Sequence, residues 1–255
     1  KLHGGGHSRI NALVFPSSLG SAAEMSLAGL KVLGHRHEGR SIFLKQALQM
    51  PPRLSSVYQR YWGLGNAVLE QVSSAPDQIS FRIDPDVEQS MTKVFTSEQL
   101  MPQSYIVVCP FAGGNFEGMN KKWPHFRPWA QMMIDRGFRL VCCPSPSEEE
   151  EWRKEYSNIP AINGLTLSQY AVILKNAKCV VSNDTGPGHL AAATGVPLIS
   201  VFNQTIKEMY GAIGSQVSVV QSMPNWPTAH EVERHVLQRL QELDSSAGPS
   251  ANSDK

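Results

Sequence analysis

From Tyr105 onward, short continuous apolar runs alternate with longer segments whose apolar residues recur at helical spacing. Strands are predicted at 105–109, 138–142, 178–182, 197–202 and 216–220. Helices are predicted at 124–136, 147–156, 167–176, 186–195 and 228–243. Continuous apolar strands that alternate with helices indicate a parallel sheet covered on both faces. This half of the chain is therefore predicted to be an α/β, Rossmann-like domain.

Upstream of residue 103 the pattern is weaker. A strand is predicted at 11–15, a helix at 19–30 and a second helix at 55–72, whereas residues 35–53 are basic and irregular. The turn-rich SSAPDQ segment and the polar stretch that follows it, up to Pro102, are interpreted as a linker. The predicted organisation is a partial N-terminal domain with linker, a C-terminal domain and a disordered tail, at 1–102, 103–243 and 244–255.

Composition and charge exclude some classes of function. The formal net charge is +1, from 23 basic and 22 acidic residues, and gives no global signal for a nucleic-acid partner. No apolar run reaches the roughly 18 residues of a transmembrane helix. The first residues, KLHGGGHSR, lack the apolar stretch of a secretory signal. These features predict a soluble, cytoplasmic protein.

The cysteines lie in or beside apolar runs, where small hydrophobic residues are expected: Cys109, Cys142, Cys143 and Cys179. Two adjacent cysteines without a second close pair fit neither a zinc site nor a disulfide framework well. They are interpreted as buried, reduced thiols.

Ligands of parallel α/β sheets bind beyond the carboxyl ends of the strands. The strand at 178–182 is followed by NDTGPGH, which leads into an Ala-rich helix. Asp184 or Thr185 can cap this helix, and its glycines allow a ligand close to the backbone N–H groups, as in an anion site. His189 could donate a hydrogen bond to a phosphate or sugar oxygen. The alternative is an ordinary capped helix with a surface histidine.

Two further turns carry candidate chemistry. The turn PFAGGNFEGMNKKWP offers backbone amides at Gly113 and Gly114 and a lysine, Lys121 or Lys122, although it contains no P-loop motif. A surface lysine pair beside a flexible loop is the alternative. The turn PSPSEEEEW places acids where dinucleotide folds bind ribose, but they also suit a helix start. The GxGxxG fingerprint is absent, which argues against a nicotinamide oxidoreductase.

Together these turns resemble the C-terminal domain of the bacterial lipopolysaccharide heptosyltransferases, glycosyltransferase family 9. The stretch DTGPGHLAAATGVP is similar to that family's D-[TS]-G-x-x-H-L-A-A-A-x-G-x-P motif, and KKWP resembles its K-x-W-P element. Upstream, NALVFPSSLG through GRSIFL is more loosely similar to the family's N-terminal domain. The resemblance implies a GT-B fold, in which the N-terminal Rossmann-like domain binds the acceptor and the C-terminal one binds ADP-heptose.

The resemblance also implies roles for the residues of the first turn. Asp184, Thr185, Gly186 and His189 would hold the diphosphate and the donor sugar, together with Gly188 of the same motif. Lys121 would neutralise the charge that grows on the leaving diphosphate. Lys121 and Asp184 are the implied catalytic residues.

Other donor and acceptor contacts are implied by position. Gly113 and Gly114 would present backbone amides to the donor. Glu149 would bind the donor nucleoside, although a one-residue slip to Glu148 is open, and Leu165 would lie against adenine. Arg36 and Arg40 are candidates for anionic groups of the acceptor, or are simply solvated.

The chain departs from the family pattern at two places. Family members begin with a strand and an S-x-x-G-D turn whose Asp is the implied general base. SSLGS mimics this turn superficially, with Ser21 at the acidic position, but the LAGLKVLGHRHEGR that follows fits a later segment of the family pattern better. Either the N-terminal segment has been lost, or the protein has lost the base. The N-terminal domain is therefore interpreted as incomplete. The loop FNQTIKE replaces the usual F-G-P-T-D-P, so donor specificity could differ.

Two functions stay open at this point. The first is inverting transfer of heptose from ADP-heptose to the lipopolysaccharide inner core, with no metal or other cofactor. It leaves open whether the protein contacts the cytoplasmic face of the inner membrane peripherally. The second is a family member that binds a nucleotide sugar, or serves a partner, without transferring anything.

Overall fold

The computed structural model describes residues 10–52, 55–113, 115–116, 119–203 and 206–246. The chain divides into two compact units. The first comprises the chain up to Pro76 together with Glu208–Tyr210. The second comprises Asp77–Lys207 and the chain from Gly211 onward.

The first unit contains, in its described part, a three-stranded parallel sheet in the order β1-β2-β3. The strands are β1 (Ala12–Leu13), β2 (Val32–His35) and β3 (Gln46–Leu48). The helices are α1 (Leu19–Leu27) and α2 (Val57–Leu69), with a 3₁₀ helix at Arg40–Phe43. The side chain of Ser18 accepts a hydrogen bond from Ser21 N–H at the start of α1, and a capping box of Ser56 and Gln59 begins α2.

The predicted strand and both predicted helices of this unit are present with shorter bounds. Strands β2 and β3 are missing from the prediction. Leu30, Val32 and Leu33 continue the apolar spacing of the preceding helix, so the pattern does not mark the change from helix to strand. Strand β3 is three residues long and lies in the segment predicted to be irregular.

The second unit begins with α3 (Pro85–Ser90) and α4 (Thr92–Ser97). It continues with β4 (Ile106–Cys109), the short antiparallel pair β5 (Asn115–Phe116) and β6 (Met119–Asn120), and β7 (Leu140–Cys142). The remaining strands are β8 (Cys179–Asn183), β9 (Leu198–Phe202) and β10 (Val217–Gln221). The other helices are α5 (Phe126–Asp135), α6 (Glu149–Glu155), α7 (Leu167–Lys175), α8 (Gly186–Thr194) and α10 (Ala229–Ser246). The short α9 (Lys207–Tyr210) follows β9 in the chain, but all of it except Lys207 belongs to the first unit.

In the described residues, five of these strands form a parallel sheet in the order β10-β9-β8-β4-β7. Each face of this sheet carries its own hydrophobic cluster. Ile106 and Val108 pack into one cluster with residues of α5 and α10, whereas Val107 and Cys109 pack into the other with residues of α7 and α8. The alternation along β4 confirms the predicted parallel sheet covered on both faces.

Most of the segment predicted to be a linker, from Asp77 to Pro102, is part of the second unit. Met91 and Leu100 are buried in one of the clusters of its sheet. The Lys175 ammonium group lies 2.6 Å from the Glu88 carboxylate, which ties α7 to α3. Helices α3 and α4 have six residues each, too few to show helical spacing in a polar sequence.

The last helix, α10, extends to Ser246, so the predicted tail at 244–255 begins inside it. Residues 247–255 lie outside the described residues.

The cysteines are free thiols, and Cys109, Cys142 and Cys179 are buried. Burial raises the pKa of Cys109 to about 11 and that of Cys179 to about 12. These thiols therefore stay neutral at physiological pH, as the sequence predicts. Cys143 is half-buried.

Candidate functional site

The topology of the second unit creates a crevice at the carboxyl ends of β4 and β8. Strand β4 comes first in the chain, and the later strands β7 and β8 lie on its opposite sides. The helices that follow β4 and β8, α5 and α8, therefore pack on opposite faces of the sheet. Ligands bind at such a switch point in open α/β sheets. The two loops that border the crevice carry most of the residues singled out in the sequence.

Lys121 and Asp184 meet across this crevice. The Lys121 Nζ lies 3.5 Å from Asp184 Oδ2, and the two side chains are 26% and 8% exposed. Burial raises the pKa of Asp184 above its ordinary value, although the positive charges of Lys121 and His189 act in the opposite direction. The structure therefore brings together the two residues that the resemblance assigns to catalysis.

Helix α8 begins at Gly186, with Thr185 at the N-cap position and Gly186 and Pro187 in the first turn. The Thr185 side chain makes no capping hydrogen bond; its Oγ1 instead donates to the carbonyl oxygen of Asn183 at 3.3 Å. Of the two predicted capping residues, Asp184 or Thr185, Thr185 occupies the N-cap position, but its side chain does not cap the helix. Pro187 has no N–H, and the N–H groups of Gly188 and His189 donate to the Thr185 carbonyl, so this turn offers an anion the N–H of Gly186 and the positive end of the helix dipole.

The two glycines of this turn have different reasons to be glycine. A Cβ atom on Gly188 would lie 3.1 Å from Ser182 Oγ, so Gly188 lets α8 approach β8 closely. A Cβ atom on Gly186 would meet nothing within 4 Å, and Gly186 is exposed. Gly113, on the opposite loop, is likewise exposed and uncrowded, whereas Gly114 lies outside the described residues.

His189 lies one turn into the crevice end of α8. The residue is exposed, but desolvation of the ring by the surrounding protein disfavours its charged form and lowers the pKa of His189. The Lys121 charge acts in the same direction, and the Asp184 charge opposes it. A neutral imidazole at physiological pH can donate one hydrogen bond to a ligand oxygen.

The acids after β7 are engaged with neighbouring groups of the protein. The carboxylate of Glu149, predicted to bind the nucleoside, lies 2.9 Å from Arg153 on the same helix. Glu148 accepts a hydrogen bond from the Ser145 N–H at 2.8 Å. The Lys122 ammonium group donates to both oxygens of Glu151, at 2.8 and 2.6 Å.

Leu165 is half-buried at the same edge of the sheet. The chain after α6 returns beside β7 through a parallel bridge between Cys142 and Ala161, and Ile162 N–H donates to the Cys142 carbonyl at 2.9 Å. Leu165 follows this bridge and packs against the edge of the neighbouring cluster. An apolar side chain therefore lies beyond the end of β7, and its contact with adenine stays a prediction.

Sequence reasoning missed two residues that hold the lysine loop. Trp123 is buried among Phe126 and Trp129, and its Nε1 donates to the Pro227 carbonyl at 2.7 Å. Asn183, the last residue of β8, accepts a hydrogen bond from the Trp123 N–H at 3.1 Å. The K-x-W-P resemblance marks Trp123, but no local pattern distinguishes Asn183 from an ordinary strand end.

The two arginines predicted to bind the acceptor lie in the first unit, in different environments. Arg36 is exposed. Arg40 is 1% exposed, and its Nη1 donates to the carbonyl oxygens of Pro16 and Ser18. Gly34 makes room for it, since a Cβ there would lie 2.6 Å from Arg40 Nη2. Arg40 therefore holds the turn after β1. Because its side chain is buried there, it does not fit the predicted contact with an acceptor.

The described part of the chain has no helix that is both long and apolar enough to span a bilayer. Among the same residues, no three His, Cys, Asp or Glu side chains gather in an arrangement that could hold a metal ion. The positive charge at the crevice comes from Lys121 and the end of α8.

Known proteins resemble this chain in sequence and in fold. The chain is 26% identical over 232 residues to lipooligosaccharide heptosyltransferase 2 of Haemophilus influenzae, with 82% of this chain and 64% of that protein covered. This chain thus spans less than two thirds of that relative. The solved structure of Escherichia coli ADP-heptose lipopolysaccharide heptosyltransferase II aligns with a TM-score of 0.70 at 20% identity, covering 93% of this chain and 78% of that one.

A solved structure of the Escherichia coli heptosyltransferase WaaC with ADP aligns with a TM-score of 0.67 at 22% identity, covering 91% of this chain and 74% of that one. The predicted α/β fold of GT-B type is thereby confirmed. A family model, glycosyltransferase family 9 (heptosyltransferase), matches residues 11–240. Because this match covers most of the sequence, the chain belongs to glycosyltransferase family 9.

Proposed function

We propose that this protein binds ADP-heptose in its second unit and transfers the heptose to the inner core of lipopolysaccharide. The observation that carries the proposal is the Lys121–Asp184 pair beside the start of α8, at the switch point of the sheet. A cationic side chain and a helix start without a side-chain cap suit a diphosphate. Family membership and the similar fold of an ADP-heptose enzyme support ADP-heptose as the sugar nucleotide.

The geometry supports a displacement in which the diphosphate is the leaving group. The acceptor hydroxyl oxygen forms a bond to the anomeric carbon while the bond from that carbon to the diphosphate oxygen breaks, which inverts the anomeric configuration. The hydroxyl proton passes to a base that we assign to no residue of this chain. The electron pair leaves with ADP, and Lys121, the Gly186 N–H and the positive end of the α8 dipole stabilise its growing negative charge.

The other residues of the crevice have supporting roles in this proposal. The neutral imidazole of His189 donates to a phosphate or sugar oxygen, and Asp184 accepts from a sugar hydroxyl while it holds Lys121 in place. Glu149 binds the ribose after releasing Arg153, and Leu165 contacts adenine. In the first unit, exposed Arg36 meets an anionic group of the acceptor. The reaction takes place in the cytoplasm, at the face of the inner membrane where the acceptor lies.

A second candidate is nucleotide-sugar binding without transfer. Its support is Ser21, which stands where the S-x-x-G-D resemblance would place the basic carboxylate. The Ser21 hydroxyl donates to the Ser18 carbonyl at 3.0 Å, as part of the first turn of α1. A general base typically contributes 10²–10⁴-fold to a rate, so a protein without one would bind the donor with little turnover.

Calorimetric titration with ADP and with ADP-heptose, followed by a transfer assay on Kdo-terminated and heptose-terminated inner-core acceptors, tests both candidates. We expect binding of both nucleotides and turnover with one acceptor. Binding without turnover supports the second candidate, and no binding to the folded protein contradicts both. Titrations in EDTA and in Mg²⁺ should give the same ADP affinity, because the site supplies its own positive charge; a fall in EDTA would contradict metal independence.

Gly186→Ala is expected to leave the fold intact and to weaken ADP binding by about tenfold or more. The new methyl group meets no protein atom within 4 Å, so the thermal midpoint should not fall. A diphosphate that approaches the first turn of α8 would meet this methyl group and lose close contact with the backbone.

Gly20→Ala in α1 is the matched control, since its Cβ also meets nothing within 4 Å and it lies in the first unit. It should leave ADP affinity unchanged. Equal ADP affinity of the wild type and Gly186→Ala would show that the diphosphate does not approach α8 closely.

A further inference from the structure

A single side-chain amide fastens both ends of the loop that carries Lys121. The Asn183 Nδ2 donates to the carbonyl oxygen of Pro110 at 2.6 Å, directly after β4. Its Oδ1 accepts from the backbone N–H of Trp123 at 3.1 Å, three residues before the start of α5. Both ends of the loop, Pro110 and Trp123, are thus hydrogen-bonded to one residue of the neighbouring strand β8.

The same residue adjoins the carboxylate that pairs with the lysine. Asp184 follows Asn183 in the chain, and Lys121 lies two residues before Trp123. The Asn183 amide therefore fixes the distance between two backbones whose side chains meet as Lys121 Nζ and Asp184 Oδ2. Any slip of the loop along β8 would change this separation directly.

The environment of Asn183 makes an amide the suitable group. The residue is fully buried, so an unmade hydrogen bond there would cost the full desolvation of its partner. An ionised carboxylate has no N–H for Pro110, and an aliphatic side chain would satisfy neither end. An Asn side chain is also long enough to reach both loop ends from β8.

We propose that Asn183 is a positioning residue, which sets the alignment of Lys121 with the diphosphate of the donor by holding both ends of its loop. The inference rests on the proposed function, because it concerns the alignment of Lys121 with the donor. It assigns Asn183 no contact with the ligand. Asn183 acts through Lys121 and not independently of it.

A double-mutant cycle of Asn183→Asp and Lys121→Met, read by ADP titration, tests this inference. Asn183→Asp keeps the acceptor for Trp123 and loses the donor to Pro110 while ionised. In the wild-type background we expect it to weaken ADP binding by about tenfold, because one buried, positioned hydrogen bond is lost. In the Lys121→Met background the same change should alter ADP affinity less than twofold, since the residue through which it acts is already gone.

The pH profile of Asn183→Asp is a second readout. A buried carboxyl group takes up a proton more readily than an exposed one, and its neutral form has an O–H that can donate to Pro110. ADP affinity of this variant, relative to the wild type, should therefore recover as the pH falls. Asn183→Ser stays neutral but is too short to reach both ends of the loop, so it should weaken ADP binding at every pH. If Asn183→Asp does not fold, Asn183→Ser replaces it in the double-mutant cycle.

Asn176→Asp is the matched control, because Asn176 also donates through its side chain to a backbone carbonyl, that of Val172 at 2.9 Å, but at the end of α7. It should leave ADP affinity unchanged. Equal losses from the Asn183 change in both Lys121 backgrounds would overturn the inference and show a purely structural role. Failure of the wild type to bind ADP would instead overturn the proposed function.

Discussion

Replacing Lys121 by methionine is expected to lower the rate of heptose transfer by about 10²–10³-fold, the usual effect of removing one preorganised group that faces developing charge. Methionine keeps the length and apolar stem of the side chain and removes its charge. The loss should appear mainly in kcat, because the negative charge on the diphosphate oxygen increases as its bond to the sugar breaks. ADP affinity should fall as well, by about 10–100-fold, as for a lost hydrogen bond to a charged group.

The neighbouring lysine provides the control. Lys122 lies beside Lys121 in the sequence, but its ammonium group contacts both oxygens of Glu151. Lys122→Met removes the same charge from the same loop and should change kcat and ADP affinity by no more than about threefold, as expected for a partly exposed ion pair. Equal effects of the two substitutions would contradict the assignment of Lys121, because they would show a general effect of loop charge.

The parallel sheet of the second unit could be predicted because every strand is a continuous apolar run. Ile106 through Cys109 are all buried, so each residue of β4 carries the signal. In the first unit, β2 continues the apolar spacing of the preceding helix, and β3 has only three residues, so the pattern marked neither strand. Met91 and Leu100 show the same limit, since isolated apolar residues in a polar stretch do not reveal the surface that buries them.

The candidate site was predicted where its residues belong to motifs with local order. Lys121 and Asp184 follow strands of one parallel sheet, and the structure brings them within 3.5 Å. Asn183 escaped prediction because its role depends on partners at Pro110 and Trp123, far away in the sequence. The prediction for Arg40 failed because a basic loop residue is usually solvated, whereas Arg40 is buried and its partners are backbone carbonyls.

Replacing Asp184 by asparagine is expected to reduce transfer by about 10²-fold, the scale of a small misplacement of a catalytic group, because the substitution removes the carboxylate that holds Lys121. The substitution should not lower the stability of the folded protein. Burial raises the pKa of Asp184 even against the favourable charges of Lys121 and His189, so the ionised form is less stable in the folded protein than in the unfolded chain. Asparagine has a similar shape and carries no such penalty.

The pH dependence of stability follows from the direction of this pKa shift. A carboxyl group whose pKa is raised by folding contributes stability below its ordinary pKa of 3.8, and this contribution is lost as the pH rises through the raised value. The thermal midpoint of Asp184→Asn relative to the wild type should therefore increase across that window and stay level at neutral pH. Thermal unfolding of both proteins from pH 3.5 to 8, with transfer assayed at neutral pH, measures the two effects together.

A variant that is inactive and also less stable than the wild type at neutral pH would contradict the prediction, because the carboxylate would then be stabilising the fold. An inactive variant of equal or higher stability would show that burial of Asp184 serves the site at the expense of the fold.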